Sequence, residues 1–480
     1  MSVPSVIKAL KPTDIGPCEI REISGRYYVY SVTSKWDASK GRSRKITLGC
    51  LGKITETDGF IPNKRSFKMP TSVVVKEHGV YVMLETLCVD LYDKLKKYFP
   101  DLFREIFTIS LMRLCNKCTA ADLRKIYLSS SLSSFHPGLS LSENTITRFM
   151  KELGQRRTQM IELMQSYVGD NQTLLFDGTN IFTSASDSSY SRIGYNHGKK
   201  RSSQVNLLYI FDSQNHRPVY YRLMPGNIVD KASMIASIKE SGCKNAVIIG
   251  DKGFYSKANT AFLDENNMNY ILPLQHNTTY ISEEWTSSTE RTKFDGHFIY
   301  HDRVVWYKKN SVGDRGHFVY IFLDEELRLS EEKYYLHREK EEYEGYTMEK
   351  FFEIKRNGLV GFMSNLNIKA EEIYLKYKAR WEIEECFDYL KNTVKIGACY
   401  QRDDISIEAW AFLNHISLIQ FYELCNAVNK STLKNKYNAD DIIRICRSIY
   451  KVELNNGQSF VSEISASDQR VLDALGVSIT

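Results

Sequence analysis

Tyr377, Arg380, Glu384 and Lys391 fall on one narrow stripe if the segment YKARWEIEECFDYLK forms a helix. At 3.6 residues per turn the four lie within roughly 60° of one another. A phenol, a guanidinium, a carboxylate and an ammonium do not seal a core. Trp381, Phe387, Leu390 and Val394 suit the buried side better. Two readings of the stripe stand open. It is a solvated face with Arg380 and Glu384 as an i,i+4 pair, contributing about 0.3–0.5 kcal/mol. Or it presents one acidic ligand flanked by groups that grip anions.

Two more carboxylates stand out by placement. Asp177 in TLLFDGTNIF and Asp251 in KNAVIIGDKGFYS each close an expected strand. Aspartates are also ordinary turn and cap residues, so either one alone is unremarkable. Three carboxylates gathered in one place repel and are costly to desolvate unless a cation joins them. Two Mg²⁺ ions about 4 Å apart would neutralise such a cluster, activate a water or hydroxyl and stabilise a leaving oxygen.

The elements that must bring these groups together are legible in outline. TLLFDGTNIF, SQVNLLYIFD and RPVYYRLMPG read as strands, KASMIASIKESG as a helix capped by Gly242, and KNAVIIGDKGFYS as a strand buried on both faces. The order is β–β–β–α–β, which makes the strands ending on Asp177 and Asp251 expected neighbours. From 268 to 324 the sequence is again strand-like. A charged helical stretch, EEKYYLHREKEEYEGYTMEKFFEIKRNG, then leads to the helix of the stripe.

The spacing Tyr377-x2-Arg380-x3-Glu384-x6-Lys391 matches the Y-(2)-R-(3)-E-(6)-K signature, and the chain thereby resembles bacterial insertion-sequence DDE transposases. LLFDGTNIF and VIIGDKGFYS are similar to the segments bearing the first and second aspartates of that family. YNHGKKR and MPGNIVD are similar to the stretch between them. The specific likeness runs from about 174 to 415, and GRYYVYSV…LGCLGKI is similar to the start of a long-chain branch.

The resemblance implies an α/β fold with an RNase H-like core, a β insertion between Asp251 and Glu384, and cut-and-paste DNA transposition. Asp177, Asp251 and Glu384 would then be catalytic and bind two Mg²⁺ ions, with Mn²⁺ as a substitute. Tyr377, Arg380 and Lys391 would hold DNA phosphates. Water would attack a phosphodiester at the transposon end, and the freed 3′-hydroxyl would attack the opposite strand or target DNA. The partners implied are terminal inverted repeats, target DNA and a second copy of the chain in a synaptic homodimer. The compartment implied is the bacterial cytoplasm, at the nucleoid. Trp306, in HDRVVWYKKN, is a candidate for stacking a flipped base, with Trp285 competing and a sheet-core role as the plain alternative.

The expected divisions are 1–75, an N-terminal β-hairpin region with possible DNA contact; 76–170, a helical DNA-binding region; 171–267, the first part of the core; 268–330, the β insertion; 331–404, the second part of the core; and 405–480, a helical C-terminal region. Between Lys35 and Lys53 there are six Lys or Arg and one Asp, either a solvated hairpin tip or a contact to DNA backbone. LSLSENTITRFMKELGQ offers Ser142 as an N-cap and Gly154 as a stop, on a packed helix or one that enters a groove. The cluster Lys199, Lys200 and Arg201 reads as a solvated turn.

Composition excludes little. The 480 residues are 42% hydrophobic and 25% charged, and the net charge of +6 does not by itself point to nucleic acid. Cys115 and Cys118 form one CxxC without a second pair, so free thiols in a reducing compartment fit better than zinc. MSVPSVIKALKPTDIGP lacks the apolar core of a signal peptide, and no run of about 18 apolar residues suits a membrane. A nuclease of the same fold, or a non-catalytic DNA-binding protein derived from a transposase, are the alternatives.

Overall fold

A computed structural model describes residues 3–13, 15–37, 42–63, 73–116, 118–195, 201–228, 230–275, 278–313, 316–393, 398–454 and 457–479. The chain divides into two compact units, Met1–Val75 with Val452–Phe460, and Lys76–Lys451 with Val461–Thr480. Lys199, Lys200 and Val394 lie outside the described residues.

In the first unit, strands Cys18–Ile23, Arg26–Asp37, Arg42–Thr55 and Gly59–Pro62 form an antiparallel sheet in sequence order. Ser24 and Gly25 both take positive φ in the turn between the first two strands, which is the two-residue hairpin geometry that matches strand twist. Ile7, Cys18, Val29 and Ile54 form its small core.

The second unit is built on a mixed sheet in which eleven strands are described. Its path runs Gly296–Tyr300, Arg303–Val312, His317–Asp324, Leu359–Ser364, Asn269–Pro273, Val247–Gly250, Thr173–Thr183 and Arg201–Asp212. Arg192–Tyr195 and Arg217–Pro225 both pair with the last of these, and Ala398–Cys399 pairs with the end of Thr173–Thr183. Val247–Gly250 lies parallel between Thr173–Thr183 and Asn269–Pro273. The helices Asp230–Ser241 and Lys257–Glu265 make the crossovers that parallel pairing requires.

Several expectations need correction. The strand of Asp177 does not end there; it runs to Thr183, because Gly178–Phe182 go on pairing with Gln204–Leu208. A short strand, Arg192–Tyr195, adds a member to the β–β–β–α–β order. Leu359–Ser364, an apolar run between charged helices, is a further strand and joins the strands of 296–324 to the central sheet. The charged stretch is two helices, Glu325–Lys340 and Met348–Glu353.

Helix Asp404–Lys430 is buried on nearly all sides and packs on helices Phe103–Asn116 and Glu143–Gly154. Several of its buried polar groups find partners across that contact. Ser417 Oγ donates to Ser110 O at 2.9 Å, Gln420 Nε2 donates to Phe107 O at 3.3 Å, and Asn414 Oδ1 accepts from Arg113 at 2.7 Å. Ser142 caps Glu143–Gly154 by accepting from Thr145 N, as its sequence suggested. Ile146, Phe149 and Leu153 on that helix are buried, which makes it a packing element. All ten cysteines are free, Cys115 buried and Cys118 half-buried. Among the described residues, no helix is long and apolar enough to cross a membrane.

Candidate active site

Asp177 and Asp251 sit on adjacent parallel strands. The register pairs Ile249 with Leu175 and Gly250 with Phe176. Continued by one residue it brings Asp251 beside Asp177, at a strand spacing of about 4.8 Å. Val247–Gly250 is apolar and buried, and it stops where the chain turns into the short helix Lys252–Phe254. Asp251 is the residue before that helix, and its carbonyl accepts from Phe254 N at 2.9 Å. This is the carboxyl end of Val247–Gly250, the side on which open α/β sheets place their ligands, and it lies beside the middle of Thr173–Thr183.

Glu384 reaches the pair through Arg380. Arg380 Nη1 donates to Asp177 Oδ2 at 2.6 Å, and Arg380 Nη2 donates to Glu384 Oε1. Asp177 Oδ1 also accepts from Gly178 N at 2.8 Å. The guanidinium is thus shared between two of the three carboxylates. Its side chain is only 18% exposed, whereas that of Glu384 is 56% exposed. Burial works against the charge of Arg380, but Asp177, Tyr377, Glu384 and Asp251 together outweigh it and raise its pKa.

The stripe is not carried by one helix. The chain forms helix Ala370–Lys378, then helix Trp381–Asp388, then a π-helical turn, Tyr389–Thr393. Arg380 lies at the first junction. There Arg380 N donates to Tyr377 O at 2.9 Å and Ile383 N to Arg380 O at 3.1 Å, bonds three residues apart that tighten the path. The break also corrects the expected core face. Phe387 and Leu390 are buried, but Trp381 is 54% exposed.

Tyr377 and Lys391 nevertheless remain with the site. The Tyr377 ring packs on Phe362 with centroids 4.4 Å apart, and burial pushes its hydroxyl pKa up, with Asp251 and Asp177 adding to the rise and Arg380 opposing it. Burial lowers the Lys391 pKa, while Asp177 and Asp388 act in the opposite direction. Asp388 was not singled out from sequence. The available signal was its place four residues after Glu384, on the same helical side.

Trp306 is not brought to these residues. It lies on strand Arg303–Val312, opposite His297 and Leu323, with the His297 ring 5.0 Å away. Five strand spacings, about 24 Å along the sheet, separate that strand from the one carrying Asp177. Trp285 lies outside the strands, partly buried against the core.

Among the described residues, no three His, Cys, Asp or Glu side chains form a group that could hold a metal ion. Carboxylates are the donors that suit a hard cation, and Arg380 joins two of them, Asp177 and Glu384.

Residues 169–419 match the family described as "Transposase DDE domain". No curated protein matches the chain. Among solved structures, the cryo-electron microscopy structure of a piggyBac transposase synaptic complex with hairpin DNA is similar, at 10% identity. The likeness covers 77% of this chain and 79% of that one, with a TM-score of 0.43. The family match spans more than half of the chain and contains Asp177, Asp251 and Glu384, so the chain belongs to the transposase DDE domain family.

Proposed function

We propose that the protein is the transposase of a bacterial insertion sequence, with an RNase H-like core, that cuts transposon ends and joins them to target DNA. The observation that carries this reading is the sharing of Arg380 between Asp177 and Glu384, with Asp251 one strand away. Asp177, Asp251 and Glu384 would hold two Mg²⁺ ions, or Mn²⁺ in their place. Such ions, when bound, activate the attacking water or 3′-hydroxyl and stabilise the leaving oxygen.

The chain's own residues do the rest. Arg380 pairs with two of the three carboxylates, and its planar fork also suits a phosphate. A DNA phosphate that accepts from Arg380 frees the Asp177 and Glu384 oxygens. Lys391, within electrostatic reach of Asp177, offers a second phosphate contact, and the Tyr377 hydroxyl a neutral donor. Binding of DNA and completion of the carboxylate cluster are coupled through one side chain.

The test is Glu384→Gln, which keeps the shape and loses the charge. With a duplex carrying the DNA that flanks the gene, binding should stay near wild type and strand cleavage in Mg²⁺ should disappear. Cleavage at the wild-type rate would remove Glu384 from the site.

A further inference from the structure

In the first unit, strand Cys18–Ile23 pairs with Arg26–Asp37 only as far as Ser31. Beyond that point, among the described residues, the hairpin has only its two strands. Its rungs run from Val32–Thr47 to Asp37–Arg42, an arm of about 20 Å at 3.4 Å per residue. The buried residues, Val29, Ile54 and Cys18, belong to the other end. Lys35, Trp36, Arg42 and Arg44 are all exposed, Trp36 at 67%.

A two-stranded ribbon without a third layer is marginal in water, and two open edges are a liability. This ribbon adds two costs. Trp36 leaves a large ring in solvent. Lys35 stands directly opposite Arg44, a like-charge pair on one face that destabilises the free hairpin. Nearer the base the cations are neutralised, since Glu19 holds both Arg21 and Lys45, the latter at 2.5 Å. Neither Lys35 nor Arg44 has a carboxylate partner among the described residues. The same face carries Arg42 opposite Asp37, which leaves it net positive and suited to an external anion.

We propose that this ribbon is a DNA-binding arm: it enters a groove of duplex DNA, Lys35 and Arg44 hold phosphates, and Trp36 supplies the apolar contact. The inference rests on the transposase reading but concerns a different part of the chain. A two-stranded ribbon fits a major groove about 12 Å wide. Trp36 pairs with Ser43 on the face opposite the cations, so the two faces offer different contacts to the groove. The alternation of cations and polar residues matches a polyanion better than a second copy of this ribbon, which would repeat the same charges.

The experiment uses the full chain and a short mixed-sequence duplex, with anisotropy titrations from low to moderate salt. Lys35→Ala/Arg44→Ala should flatten the log–log salt dependence by about 1.8, at about 0.9 per lost contact. Trp36→Ala should weaken binding on the order of tenfold with the slope unchanged. Lys35→Gln/Arg44→Gln gives a second charge-neutral variant, and thermal melting checks that every variant folds. Wild-type binding that neither change alters would overturn the arm and leave the transposase reading intact. A wild-type chain that binds no duplex would overturn both. Self-association abolished by Trp36→Ala, with DNA affinity unchanged, would make the ribbon a protein interface and also overturn the inference.

Discussion

Arg380 is the residue on which the site turns. It pairs with both Asp177 and Glu384, and in the proposed function a metal would compete with it for them. Arg380→Ala should therefore tighten Mn²⁺ binding to the DNA-free protein by about tenfold or more, equivalent to about 1.4 kcal/mol. Calorimetry reads this directly, and an unchanged or weaker affinity would mean that Arg380 does not compete with the ion. The same side chain should matter in the opposite sense for DNA. Arg380→Ala/Lys391→Ala should flatten the salt dependence of binding to the flanking DNA by about 1.8. If the stripe were only a solvated face, the pair would contribute under about 1 kcal/mol to folding and the slope would stay as it is.

At the scale of elements, the site depends on helices that end where the fold needs them to. Gly154 was legible as a helix stop, but its tertiary role is a close approach. A Cβ there would lie 1.9 Å from Ile405 O and 2.7 Å from Ile405 C. Backbone cannot yield as a flexible side chain does, so Gly154→Ala must push helix Glu143–Gly154 away from the start of Asp404–Lys430. The expected loss is about 1–3 kcal/mol, read as a lower denaturant midpoint. A variant as stable as wild type would show that the two helices slide freely. The interrupted helix of Glu384 was less legible. Nothing in YKARWEIEECFDYLK breaks a helix, because it holds neither proline nor glycine. Separate burial of Ile373 and Tyr374, and of Ile383, Cys386 and Phe387, on the two sides of the junction accompanies the break.

The second unit as a whole carries a pH dependence through a buried group outside the carboxylate set. His415 is fully buried on helix Asp404–Lys430, packed against Tyr209 and Tyr221, and neither ring nitrogen has a hydrogen-bond partner. Burial, helped by the charge of Arg157, pushes its pKa down to about 3. In the unfolded chain it titrates near 6.5. A histidine whose folded pKa is depressed leaves stability intact above 6.5. Stability is lost as pH falls toward 3, because the unfolded chain then binds the extra proton, at up to about 1.4 kcal/mol per pH unit. His415→Leu should remove that dependence. The melting temperature of the variant should gain on wild type as pH falls below 6.5 and run parallel to it above. Parallel curves at all pH values would mean that His415 titrates in the folded protein as it does in the unfolded chain.

The sequence alone determined the local facts. The alternation of Cys18–Ile23 and Arg26–Asp37, the caps at Ser142 and Gly242, and the buried run before Asp251 are set by propensity, periodicity and turn chemistry within a few residues. The residue types at Asp177, Asp251 and Glu384, and the spacing from Tyr377 to Lys391, were enough to raise metal-assisted phosphoryl transfer. Only the tertiary structure decided that Asp177 lies within a longer strand, that Leu359–Ser364 joins the strands of 296–324 to the central sheet, and that Trp306 lies strands away from the carboxylates. Sheet order depends on pairings between segments far apart in the chain, and no local pattern encodes it. For the same reason no spacing rule could show that Arg380 bridges Asp177 and Glu384: that contact joins residues 203 positions apart, and it exists only because the sheet and the broken helix are packed together.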